Sequence, residues 1–156
     1  MTIEVRPFVA ADTIPTWEVF HAAVHQTAIA DYSPEQVAAW APDSVDVALW
    51  RQRRLRSWTF VAVVDGEVVG FSDVTQTGLL DMLFVHPDYG RQGVARVLVT
   101  RVIDQARALG LEELHTLASR TARPAFEAFG FVVDRSNDPN WIRGHNLPNY
   151  TMHLSL

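Results

Sequence analysis

The stretch LDMLFVHPDYGRQGVARVLV, residues 80–99, decides the fold that this chain is expected to adopt. Its first half is an apolar run typical of a strand, and its second half repeats apolar residues at helical spacing. The turn between them contains Gly90 and Gly93. Glycine lets a backbone approach a ligand closely, and the first N–H groups of a helix lack intrahelical partners, so the turn is suited to bind a pyrophosphate. Arg91 adds a positive charge there.

This turn does not by itself identify a cofactor, because many sharp connections between a strand and a helix also require a glycine. The dinucleotide fingerprint G-x-G-x-x-G is absent, and so is the P-loop pattern G-x-x-x-x-G-K-[ST]. The sequence therefore disfavours these two nucleotide-binding folds.

On the N-terminal side, the sequence predicts one strand followed by three helices. Asp12 is the predicted N-cap of the first helix, and Ser33 with Gln36 forms a predicted capping box for the second. The predicted ranges are 2–8 for the strand and 12–28, 34–40 and 46–56 for the helices.

From Trp58 onward the pattern changes to strands. Two β-rich runs, WTFVAVV and EVVGFSDVT, flank Asp65 and Gly66, which is a strong hairpin signal. A third run, GLLDMLFVH, follows a turn at Thr77 and Gly78, so these three runs predict an antiparallel meander.

The remaining chain predicts a parallel crossover. A helix from Val94 to Leu109 ends at Gly110, and the next strand covers residues 111–119. A short helix, a short strand, a long polar loop and a final strand are then predicted at 121–129, 131–133, 134–149 and 150–156.

The composition indicates one ordinary folded domain covering residues 1–156. The chain has no cysteine, which excludes thiol nucleophiles, disulfides and cysteine-based zinc sites. It has no apolar run of membrane-spanning length, and a net charge of −5 without any lysine argues against nucleic-acid binding. We therefore expect a soluble cytoplasmic protein with neither a membrane nor a nucleic acid as partner.

The window GRQGVA, residues 90–95, resembles the acetyl-CoA signature [QR]-x-x-G-x-[GA] of the GNAT N-acetyltransferase superfamily, in which a strand ending V-x-P precedes the signature. Gly93 and Ala95 match, whereas Gly90 stands where the family usually has Gln or Arg. The resemblance implies a mixed, mostly antiparallel central sheet of six or seven strands flanked by helices, with the parallel crossover at the cofactor site. It also implies acetyl-CoA as cosubstrate, bound by Phe84, Val85, Gly90, Arg91, Gln92, Gly93, Val94, Ala95 and Ser119.

A second segment, SRTARPAFEAFGF, is similar to the family pattern N-x-x-A-x-x-x-Y-E-x-x-GF. Ser119 stands in the Asn position, and Phe126 replaces the tyrosine that can protonate the leaving thiolate in many members. Tyr150, at the start of the last strand, is a candidate to replace that acid. A tyrosine at a strand edge is the alternative interpretation.

The resemblance implies transfer of an acetyl group to a primary amine by direct attack in a ternary complex. Attack requires a neutral amine, so a base near the thioester is useful at neutral pH. Asp81 matches the position of the glutamate base in histone-acetylating relatives. A carboxylate in an apolar run is costly unless it is paired, so a hydrogen-bonded structural aspartate is the other interpretation.

The acceptor is expected to be a small-molecule or peptide amine that binds beside His25, Tyr32 and Trp40, in the helical region that covers the acceptor site of the family. Core packing is the alternative for Trp40. His21 and His25 share a helix face, but two histidines without a neighbouring Glu are a weak metal signal, and we expect no metal.

An acyl-CoA-binding module with little or no catalytic activity is the alternative function, because Gly90 and Phe126 both depart from the family pattern. The sequence leaves open whether the chain forms a homodimer.

Overall fold

The computed structural model describes residues 1–156, which form ten strands and five α-helices. In chain order these are β1 Glu4–Pro7, α1 Thr13–Ala22, α2 Pro34–Trp40, α3 Val47–Arg56, β2 Trp58–Val64, β3 Glu67–Val74, β4 Leu79–Leu80, β5 Leu83–Val85, α4 Val94–Ala108, β6 Glu113–Ser119, α5 Arg123–Ala128, β7 Val132–Asn137, β8 Trp141–Ile142, β9 His145–Asn146 and β10 Asn149–Ser155. None of the helices combines the length and apolarity needed to cross a bilayer.

The strands form two four-stranded sheets and one small hairpin. The first sheet has the order β1-β2-β3-β5, the second has the order β4-β6-β10-β7, and β8 pairs with β9. Only the pair of β4 and β6 is parallel; every other pair is antiparallel. Helix α4 makes the crossover from β5 to β6. The predicted mixed, mostly antiparallel architecture with one parallel crossover is therefore confirmed.

The third predicted strand, GLLDMLFVH, is split, and the prediction of one continuous strand was wrong. Its first part, β4, pairs with β6, and its second part, β5, pairs with β3. Asp81 and Met82 lie between the two parts and belong to neither strand. The chain thus passes from one sheet to the other within two residues.

Helix α4 packs directly on the first sheet because Gly70 in β3 leaves room for it. A Cβ atom at Gly70 would lie 3.0 Å from Val94 Cγ1 and 3.1 Å from Phe84 O. The face of α4 with Val94, Leu98 and Val102 is fully buried in the core on this side of the sheet. This contact fixes the start of α4 beside β5.

The N-terminal helical region differs from the prediction in two respects. The predicted helix over 12–28 is α-helical only to Ala22 and continues as a π-helical turn, Ala23–Thr27, and a 3₁₀ turn, Ala28–Ala30. Asp12 precedes α1, but its carboxylate accepts the Val9 N–H and pairs with Arg6 at 2.8 Å instead of capping α1. The Ser33 and Gln36 capping box is confirmed, with both reciprocal hydrogen bonds present.

The predicted polar loop over 134–149 contains ordered structure. It holds the end of β7 and the β8–β9 hairpin, and three hydrogen bonds join it to the helical region, one of them from Arg143 Nη1 to Ala39 O. Gln36 Nε2 donates to Asn146 O, and the Tyr32 hydroxyl donates to Pro148 O at 2.6 Å. The loop is thereby held against the region that precedes and includes α2, where it forms one wall of a cleft.

Candidate active site

The two sheets separate at a gap between β5 and β6. Leu80 and Thr116 form the last residue pair between β4 and β6, and the Thr116 hydroxyl donates to Leu80 O at 2.7 Å. Beyond this pair, β5 turns to β3 while β6 continues beside β10, so neither strand pairs with the other. The gap exposes two facing strand edges.

The hydrogen-bond pattern between β3 and the segment around β5 shows which backbone groups of β5 face the gap. His86 N donates to Val69 O and Asp73 N donates to Met82 O, so alternate residues of this segment bond to β3. In an antiparallel ladder, residues that bond to one neighbour alternate with residues that face away from it. The backbone of Phe84 therefore faces β3, and those of Leu83 and Val85 face the gap.

Asp73 fixes the break at Asp81 and Met82. Its Oδ1 accepts the Asp81 N–H at 3.0 Å and the Met82 N–H at 2.8 Å. Met82 O in turn accepts the Ser72 hydroxyl at 2.7 Å. The polar backbone groups of the break are thus bound to β3, which leaves the gap without a bridge.

Asp73 was not predicted as a site residue, although an aspartate inside the β-rich run GFSDV is a signal for a buried carboxylate. The residue is 1% exposed. Burial raises its pKa to about 6, the charge of Asp81 adds to this rise, and the two amide hydrogen bonds and Arg54 oppose it. Arg54 is also buried, and its Nε and Nη1 atoms have no hydrogen-bond partner.

The turn that leads into α4 has the conformation of an anion-binding helix start. Gly93, the N-cap residue, has a φ of 86°, and Arg91 has a φ of 59°. No side chain caps α4, so its first N–H groups remain free to bind a ligand. Gly90 has an ordinary φ of −64°. The positive φ therefore demands glycine at position 93 and not at position 90.

A cleft of about 220 Å³ opens from the gap toward the helical region. Five residues predicted for the site line it: Asp81, Phe84, Ser119, Tyr32 and Trp40. Phe126 also lines it, 3% exposed and in contact with Phe131. Most of the other lining residues were not predicted from the sequence. They include Thr116, Met82 and Leu83, and a wall formed by Asn140, Ile142, Leu147 and Asn149.

Asp81 is exposed in this cleft, not buried within an apolar strand. The break turns it out of the sheet, and its carboxylate makes no hydrogen bond or ion pair with another side chain. The buried carboxylate that needs hydrogen-bond partners is instead Asp73, eight residues earlier.

Tyr32 and Trp40 form the wall opposite the gap. The Tyr32 hydroxyl donates to Pro148 O and accepts the Arg120 N–H at 2.9 Å, and burial raises the pKa of this hydroxyl. Its polar atom is therefore engaged within the protein. The half-buried Trp40 ring packs edge-on against Tyr32 and Phe84, with centroid distances of 5.7 and 6.1 Å.

His25 and Tyr150 do not line the cleft. The His25 Nε2–H donates to Ala41 O at 2.7 Å, and its ring stacks on His21 at 4.0 Å. The guanidinium of Arg123 lies 4.6 Å from the centre of the Tyr150 ring. Both residues therefore have partners outside the cleft.

Comparison with known proteins identifies the family. A family model described as the acetyltransferase (GNAT) domain matches residues 28–152. The N-acetyltransferase YafP of Escherichia coli strain K12 is 36% identical to this chain over 129 residues, which cover 83% of this chain and 81% of YafP.

Solved structures agree with this match. A GCN5-related N-acetyltransferase from Rhodopseudomonas palustris superposes with a TM-score of 0.95 at 34% identity, covering 100% of this chain and 97% of that one. PaiA N-acetyltransferase from Thermoplasma acidophilum, solved in complex with coenzyme A, has a TM-score of 0.80 at 17% identity and full coverage of both chains. The chain therefore belongs to the GNAT acetyltransferase family and is an acyltransferase enzyme.

Proposed function

We propose that this enzyme transfers an acetyl group from acetyl-CoA to a primary amine by direct attack in a ternary complex. The observation that carries the proposal is the gap between β5 and β6, which has the cleft at one side and the uncapped start of α4 packed beside β5. An extended thioester arm carries amides that need hydrogen-bond partners, and the unpaired strand edges offer them. The binding of coenzyme A by PaiA supports this assignment.

The cosubstrate would use the backbone more than side chains. The backbone N–H and C=O groups of Leu83 and Val85, and those at the end of β6 near Ser119, would bond to the pantetheine amides. The turn over residues 90–95 would bind the pyrophosphate through the first N–H groups of α4, with Arg91 adding positive charge. Phe84 would contribute its side chain to the cleft, since its backbone faces β3.

Asp81 would accept the proton of the attacking amine, directly or through one water. The nitrogen forms a bond to the acetyl carbon, the bond from that carbon to sulfur breaks, and CoA leaves as the thiolate. Asp81 suits this role because it lies in the cleft without an internal partner. General-base assistance of this kind is worth roughly 10²–10⁴-fold in rate.

The thiolate would leave without a tyrosine acid. Phe126, which lines the cleft where the family often has tyrosine, has no hydroxyl, and Tyr150 lies outside the lining. We therefore expect Tyr150→Phe to keep kcat within about threefold of the parent, since loss of a general acid costs roughly 10²-fold or more. Steady-state kinetics at saturating acetyl-CoA measure this. A loss of about 10²-fold in a folded variant would assign the acid to Tyr150.

The proposed reaction is tested by following thiol release from acetyl-CoA over a panel of amines, with mass detection of the acetylated product. We expect release that depends on the acceptor. Tight CoA binding with no release for any amine would instead support an acyl-CoA-binding module.

A further inference from the structure

Five of the polar side chains that line the cleft each make at least one hydrogen bond within the protein; Asp81 and the Trp40 indole N–H make none. The Thr116 hydroxyl donates to Leu80 O, and Ser119 Oγ accepts the Ala122 N–H. Asn140 Nδ2 donates to Leu147 O, Asn149 Oδ1 accepts from Asn137 Nδ2, and Tyr32 makes the two bonds described above. These bonds hold the five side chains in place, and none of the five is charged.

Asp81 differs from these neutral groups. Its carboxylate lines the cleft, is exposed, and makes no hydrogen bond or ion pair. It is also the only charged side chain in the lining. The cleft therefore offers a ligand one free negative charge and no positive charge.

Two arginines, Arg120 and Arg143, already have partners within the protein. Arg120 donates to Asp31 O and lies over the Tyr32 ring, and Arg143 donates to Ala39 O at 2.7 Å. Neither lines the cleft. A carboxylate or phosphate on the acceptor would find no positively charged side chain in the lining and would lie close to Asp81.

The surface around Asp81 on the acceptor side is apolar. The break supplies Met82, β5 supplies Phe84 and α2 supplies Trp40. Ile142 of β8 and Leu147, just after β9, complete this surface. Burial of an apolar group against such a wall is worth about 0.8 kcal/mol per methylene, or roughly fourfold in affinity.

We infer that the acceptor is a primary amine on an apolar body, with no carboxylate beside the amine. This inference rests on the proposed function, because it names the substrate class of the same site. The ammonium form pairs with Asp81 on arrival, the apolar body contacts the Trp40 wall, and Asp81 then takes the proton. Free amino acids and strongly hydrophilic amines are poor acceptors.

Two matched pairs of acceptors test the inference in the thiol-release assay. Phenylethylamine and phenylalanine differ by one carboxylate, and like-charge repulsion at an interface should favour phenylethylamine by at least about 10²-fold in kcat/KM. Hexylamine and propylamine differ by three methylenes, and we expect a preference for hexylamine of up to about 50-fold. Equal use of phenylalanine, or a preference for propylamine, would overturn the inference.

A pair of tryptophan variants localises the effect. Trp40→Ala should reduce the preference for hexylamine at least about fivefold while KM for acetyl-CoA stays within about twofold. Trp141→Ala is the control, because Trp141 is 67% exposed on the neighbouring hairpin and does not line the cleft. Ile142→Ala replaces Trp40→Ala if that variant does not fold. An unchanged preference in both cleft variants would contradict the proposed wall.

Calorimetric binding of the same four acceptors to the CoA-loaded enzyme separates the two proposals. Selective binding of phenylethylamine without any thiol release would overturn the proposed reaction and keep the assigned ligand class. Thiol release that favours phenylalanine would keep the reaction and overturn the ligand class.

Discussion

Two carboxylates, Asp73 and Asp81, show how differently single residues contribute to the site. Asp73 is buried and binds the backbone amides of Asp81 and Met82. Asp81 is exposed in the cleft and has no partner. The buried carboxylate holds the break in the strand, and the break places the exposed carboxylate where it can reach a ligand.

Asp81→Asn tests the role of the exposed carboxylate. The change keeps the shape and removes the base, so kcat/KM at neutral pH should fall by roughly 10²–10⁴-fold while acetyl-CoA affinity stays close to that of the parent. The deficit should shrink as pH rises toward the pKa of the acceptor, because neutral amine then becomes abundant. Asp104→Asn, an exposed carboxylate on α4, serves as the control. A variant as fast as the parent at pH 7 would make Asp81 structural.

Asp73→Asn tests the buried carboxylate through the pH dependence of stability. The folded pKa of about 6 lies above the unfolded value of 3.8, so the folded state binds the extra proton between them. This contribution to stability is fully present below the unfolded pKa and is lost as pH rises through the folded pKa. Asparagine stays neutral, and its Oδ1 can still accept both amides.

The difference in unfolding free energy, variant minus parent, should therefore increase between about pH 4 and pH 7. The increase should be on the order of 1–3 kcal/mol, in favour of the variant. Urea denaturation across this range measures it. A difference that stays constant with pH would show that burial does not raise the pKa of Asp73.

Among the structural elements, the turn before α4 is the proposed pyrophosphate site. Gly93→Val should weaken acetyl-CoA binding at least about tenfold. Valine at a backbone φ of 86° is strained, and its side chain fills the space beside the free N–H groups. Calorimetric titration measures the affinity.

Gly110→Val is a matched control for the same helix. Gly110 follows the C-terminus of α4, has a φ of 75°, and has open space at its Cβ, as Gly93 does. Both substitutions impose similar backbone strain, but only the first lies at the proposed pyrophosphate site. Equal loss of affinity in the two variants would attribute the effect to strain alone.

The elements also show what the sequence could predict. The Asp65 and Gly66 hairpin, the α4 crossover and the Ser33 capping box each depend on a local signal, and all three are present. The break at Asp81 and Met82 was not predicted, because LLDMLFV is continuous in hydrophobicity and the group that interrupts it, Asp73, lies on the neighbouring strand. The β8–β9 hairpin was not predicted because its strands have two residues each, too few to show an alternating pattern.

In the whole molecule, the two sheets would form the two sides of the proposed binding gap. The first sheet, held by α4, supplies β5 and the turn, while the second supplies β6. The region from Tyr32 to α2 and the β8–β9 segment covers the end of the gap with an apolar wall. Cosubstrate and acceptor would therefore approach the break at Asp81 from opposite sides.

Amide hydrogen exchange with and without acetyl-CoA tests this arrangement most directly. We predict that acetyl-CoA slows exchange at the amides of Leu83 and Val85 and at the first turn of α4, and leaves the Phe84 amide, already bound to β3, unchanged. Protection confined to another surface, with β5 and the start of α4 unaffected, would contradict the proposal that the gap between the two sheets binds the cosubstrate.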